Sequence, residues 1–133
     1  MRPHRITLLV LTVLGLLNLG RGGIHLFAPD SGAASIAGFD LSGDGGLVII
    51  ALLAGIGAQQ IAIGVVDLAV ALKYRSLGFA LIGFHVFAQA LVVLAVVVLK
   101  PLPGDPPGEK GALAILLILA ATLVVEVLHR RRG

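Results

Sequence analysis

Asp67, His85 and Glu126 are able to take up or release a proton, and each sits inside a long apolar run of this sequence. Such groups cost about 2.5–3.5 kcal/mol each at the centre of a membrane helix, so they mark where chemistry or binding is to be sought. A carboxylate beside an imidazole holds a proton with tunable affinity, which suits a proton relay, a carboxylate-oriented base or a ligand contact. The plainer reading is a satisfied His–Asp pair, with Glu126 reaching the inner surface beside Arg130. His85 and Gln89 share a helical face at i and i+4. Gln59, Gln60 and Gln89 fall near the middle of their runs, where amides hydrogen-bond across helices for about 0.6–2 kcal/mol. Gly57, Gln60, Gly64 and Asp67 form one stripe whose small residues let another helix approach, and Asn18 lies at a depth to join them. A second cluster, Arg21 and His25, is also spaced i and i+4. Either Arg21 turns outward to pair with Asp30, Asp40 or Asp44, or the two line an outward pocket for an anionic head group or carboxylate.

Several chemistries are excluded. There are no cysteines, hence no disulfides, thiolate nucleophiles or Cys-ligated zinc and iron–sulfur clusters. At 1.5 Å per residue His25 and His85 differ in depth by about 16 Å, too far for one haem. Asp40-Leu-Ser-Gly-Asp-Gly45 imitates the first half of a calcium loop, but Ala51 stands where the bidentate glutamate belongs. No metal site is expected. Gly20-Arg-Gly-Gly23 lacks the preceding strand of a nucleotide fingerprint, and its glycines read as packing or kink sites. No nucleophile elbow, phosphate loop or zinc-protease motif appears.

The elements that must carry these residues follow from composition. Of the 133 residues 58% are hydrophobic and 13% charged, with a mean hydropathy of +1.07, well beyond a soluble domain. Four apolar runs, about 6–28, 47–72, 77–99 and 111–129, are each near or above the roughly 18–20 residues that cross a bilayer. Apolar residues run continuously, as in Leu91-Val-Val-Leu-Ala-Val-Val-Val-Leu99, where a membrane strand would alternate. The expectation is an all-α fold, a four-helix integral membrane bundle forming a single domain over 1–133. Its outer loops are 29–46 and 100–110 and its inner turn 73–76. The first loop holds three aspartates and five glycines, with a short surface helix capped by Asp30 or Ser31 expected in it. The second is proline-rich and cannot continue a helix.

Arg2, Arg5, Lys73, Arg75, Arg130, Arg131 and Arg132 gather on one side of this arrangement, against Lys100 and Lys110 in loops on the other. Basic loops resist translocation, so both termini are expected in the cytoplasm. The formal charge of +3 is therefore a matter of orientation, and nucleic acid is not an expected partner. Cleavage as a signal peptide after Ala28 would put Leu26 where a small residue is needed, so the first helix is expected to stay.

The layout resembles the small bacterial four-helix membrane proteins of the DoxX-like type. The likeness spans nearly the whole chain and rests on Gly22-Gly23 near the end of helix one, Pro29, Ile36-Ala-Gly-Phe-Asp-Leu-Ser42 and Ala54-Gly-Ile-Gly57. The chain departs from that pattern where helix two begins, with Gly46-Leu47 in place of an acidic residue. The resemblance implies the fold and a multi-pass protein of the inner (plasma) membrane; it implies no reaction. The leading functional expectation is a non-catalytic or accessory protein whose bundle binds a lipophilic small molecule, a lipid or a partner membrane subunit. The alternatives are a membrane enzyme or quinone accessory centred on His85, Asp67 and Gln89, and an oligomeric proton-coupled carrier. No cofactor is required by any motif; quinone and lipid are the ligand classes that suit.

Overall fold

The computed structural model describes residues 3–101 and 107–132, which are helical, with turns between the helices and no strand. Helix α1 runs Arg5–Phe27, α2 Gly46–Leu72, α3 Gly78–Val93 and α4 Pro107–Arg132. A π-helical turn, Leu94–Leu99, continues α3, and a 3-10 turn, Arg75–Leu77, precedes it. With that extension the four helical segments are long and apolar enough to cross a membrane. The chain divides into two compact units, Val13–Leu68 and the remainder.

In the Val13–Leu68 unit, α1 and α2 meet through glycine. A Cβ built on Gly22 would stand 2.7 Å from the Gly57 carbonyl oxygen, and one on Gly57 2.8 Å from that of Gly22. Gly15 and Gly64 repeat the pairing one heptad away, at 3.0 and 2.8 Å. The expected stripe Gly57, Gln60, Gly64, Asp67 is thus the face α1 uses, and α1 answers with Gly15 and Gly22. Gly20 and Gly23 meet open space, so only Gly22 of that trio is a packing glycine. The following loop is tied by Asp30, whose carboxylate accepts the N–H groups of Gly32, Ala34 and Ser35 at 2.9, 3.2 and 2.7 Å. The expected cap is present, but the chain forms successive turns instead of a regular surface helix. Left-handed φ values at Ser31, Gly32 and Gly38 (52°, 74° and 71°) break the helical path.

In the second unit α3 packs on α4, and Gln89 Nε2 donates to the Ala112 carbonyl at 3.0 Å. The third helix does not stay α-helical to its end. Lys100 N–H bonds the Ala95 carbonyl at 2.8 Å, five residues back, just before Pro101. Proline has no N–H to donate and its ring clashes with the carbonyl four residues earlier, so the wider turn closes the helix there. Helix α4 starts at Pro107, earlier than the 111 expected. Proline at the first helical position loses nothing, because that N–H has no partner within the helix anyway.

Burial does not follow polarity as it does in a water-soluble domain: carboxylates are buried, as are Leu11, Ile82 and Leu119, while many large apolar side chains are exposed. Glu126, Asp67 and Thr7 are 0% exposed, whereas Leu47 is 80%, Phe27 78% and Leu117 71% exposed. Apolar side chains on all four helices face outward, a pattern that in water would forfeit the main driving force of folding.

Candidate functional site

Within each unit several of the polar residues singled out by the sequence come together. In the Val13–Leu68 unit the Asn18 amide donates to Asp67 Oδ2 at 3.3 Å, crossing from α1 to α2 just beside the Gly15–Gly64 contact. Gln60 lies on the same stripe, and its Oε1 is buried with no hydrogen-bond partner among the described residues. A buried acceptor left so costs about 1–3 kcal/mol. Gln59 is exposed and stands apart from this cluster.

Arg21 and His25 come together as their spacing predicts, Arg21 Nε lying 3.4 Å from His25 Nε2. His25 is buried and its Nδ1 donates to the Ser31 carbonyl at 2.7 Å. That bond fixes the Nδ1–H tautomer, leaving Nε2 to accept from Arg21. The expected pairing of Arg21 with an outer-loop aspartate is not formed. Asp30 is held by backbone N–H groups two to five residues along in its own loop, and Asp40 accepts the Ser42 N–H at 2.9 Å. Backbone N–H bonds from Ser35 first and Gly32 second lower the Asp30 pKa to about 2, and the bond from Ser42 lowers that of Asp40.

In the other unit Glu126 is no surface-seeking side chain. Its Oε2 accepts the Thr7 hydroxyl at 2.7 Å and the His4 N–H at 2.8 Å, and its Oε1 accepts Arg130 Nε at 2.9 Å. Arg130 in turn lies over the Phe79 ring at 4.3 Å, a cation–π contact joining α4 to the start of α3. The carboxylate is therefore completely buried yet meets donors from both ends of the chain. His85 is half-buried on α3, its ring edge-on to Phe84 at 5.9 Å.

No known protein family, curated protein or solved structure matches this chain.

Sequence reasoning missed His4, Thr7, Phe79 and His129. His4 Nδ1 accepts the Ile6 N–H at 3.2 Å, capping α1, and its ring meets that of His129 edge-on at 5.2 Å. A cleft of about 800 Å³ opens beside them, lined by His4, Arg5, Leu8, Arg75, Ser76 and His129 among others. One signal was present: His-Arg occurs at both chain ends, His4-Arg5 and His129-Arg130, where like residues gather once the ends are brought together.

Proposed function

We propose that this chain is a multi-pass membrane protein with four spanning helices, both termini on the cytoplasmic side of the inner membrane. Its role is non-catalytic or accessory: the helices bind a lipophilic small molecule, a lipid or a partner membrane subunit. The observation that carries this reading is the burial of Glu126 and Asp67 while large apolar side chains on all four helices stay exposed. Hydrocarbon is the solvent in which that arrangement is favourable. Contact between the first turn of α1 and the last turns of α4 supports this reading, since four crossings require both termini on one side. The concentration of Arg and Lys at that end makes it the cytoplasmic one. The likeness to DoxX-like proteins belongs to this proposal and bears on fold alone.

Binding is favoured over catalysis by how the polar groups are used. Gln89 is tied to the Ala112 carbonyl, Asn18 to Asp67 and Glu126 to three donors, all roles that hold helices together. These bonds weaken the enzyme or quinone reading centred on His85, Asp67 and Gln89, since two of the three, Asp67 and Gln89, already hold helices together. Among the described residues Gln60 Oε1 is a buried acceptor without a hydrogen bond, a place a ligand's donor would suit.

Cysteine labelling and copurification test both halves of the proposal, because the chain has no native thiol. In intact cells a cysteine at Gly43 is expected to react with an impermeant maleimide and one at Ser76 to react only after lysis. The opposite pattern refutes the orientation. Native mass spectrometry from mild detergent is expected to show a copurifying lipid, quinone-like molecule or subunit, and a bare chain argues against the binding role.

A further inference from the structure

The cleft beside the α1 start has the make-up of an anion site that Glu126 does not neutralise. Arg5 opens α1 and Arg75 opens the 3-10 turn before α3, so two separate elements each contribute an arginine to the lining of one cleft of about 800 Å³. Both side chains are exposed. Among the described residues Arg130 pairs with Glu126, and neither Arg5 nor Arg75 meets a carboxylate. His4 and His129 stand on the wall of the cleft. Because His4 Nδ1 accepts the Ile6 N–H, its proton is on Nε2, which is left as a donor. Ser76 adds a hydroxyl, and Leu8 with Pro3 supplies an apolar side.

Two planar guanidinium groups with imidazole and hydroxyl donors match the several oxygens of a phosphate, which accept paired N–H bonds better than any single point charge provides. The apolar wall suits what is attached to such a phosphate in a membrane. The geometry points to a binding site in this cleft for the phosphate of an anionic lipid, its head group held by Arg5 and Arg75 and its glycerol end against Leu8 and Pro3. This rests on the membrane reading above and deepens it, since it names one lipid class and one place for it.

The test uses the full chain in phosphatidylcholine nanodiscs doped with phosphatidylglycerol, with the retained lipid read by native mass spectrometry. The wild-type chain is expected to keep phosphatidylglycerol in preference to phosphatidylcholine. The double variant R5Q/R75Q should lower that retention about tenfold or more, and R5K/R75K, which keeps the charge but loses the paired donors, should fall between. Arg131→Gln removes an exposed charge on α4 that does not line the cleft, and should leave retention unchanged. Equal loss with R131Q, or full retention by R5Q/R75Q, would overturn the proposal. Binding of inorganic phosphate in millimolar excess without any preference for phosphatidylglycerol would overturn the lipid source. A chain that fails to enter the discs at all refutes the membrane reading instead, so the two failures are distinguishable. Both arginines are exposed and hold no described partner, and a thermal melt of each variant should match the wild type.

Discussion

Glu126 shows how a single side chain can set the energetics of one end of this protein. A carboxylate with no solvent contact is costly unless every oxygen is met by a donor, and Thr7, His4 and Arg130 supply three. Glu126→Ala strands the Arg130 charge, the Thr7 hydroxyl and the His4 N–H together, with an expected loss of about 3–5 kcal/mol in unfolding from detergent. Glu126→Gln keeps an acceptor for one donor and should cost less. Equal stability of the alanine variant would show that the cluster contributes nothing. Asp30 makes the contrasting case at the surface. Its pKa falls from 3.8 to about 2 through backbone N–H bonds, so its contribution to the loop is fully present above pH 3.8 and disappears as pH falls through 2. The carboxyl carbon resonance of Asp30 should titrate near 2 and a midpoint near 3.8 would contradict the loop geometry.

Among the elements, α1 and α2 depend on absent side chains. At Gly22 and Gly57 a methyl group would press on backbone of the opposite helix at 2.7–2.8 Å, and backbone cannot rotate aside. Gly22→Ala should therefore destabilise by about 1–3 kcal/mol, whereas Gly23→Ala, facing open space, should be neutral or slightly stabilising. Identical melts for the two would remove close packing as the reason for the glycines. This stripe was legible in advance because residue spacing at 3.6 per turn fixes which side chains share a face, and the Asn18–Asp67 contact followed from depth alone. The π-helical turn at Leu94–Leu99 was not, since Leu-Ala-Val-Val-Val-Leu is equally apolar in an α-turn and the difference lies in which carbonyl Lys100 reaches. Glu126 was misread because its partners Thr7 and His4 are over a hundred residues away, beyond any local pattern. Of the two readings of Arg21, the pairing with an outer-loop aspartate is not formed because backbone N–H groups of its own loop hold Asp30; a loop aspartate so placed has no need of a distant cation.

For the whole molecule, four helical segments long and apolar enough to span, with buried carboxylates and many exposed hydrocarbon side chains, support the proposal that the surrounding medium is a bilayer. Long continuous runs made the helices readable from composition, and the same runs explain why function was not, because exposed leucines and valines say nothing of what the polar minority binds. The measurement that bears on this most directly is alkaline carbonate extraction of membranes containing the chain. We expect it to remain in the pellet and to be released only by detergent. Recovery in the aqueous supernatant as a folded, monodisperse protein would contradict the account.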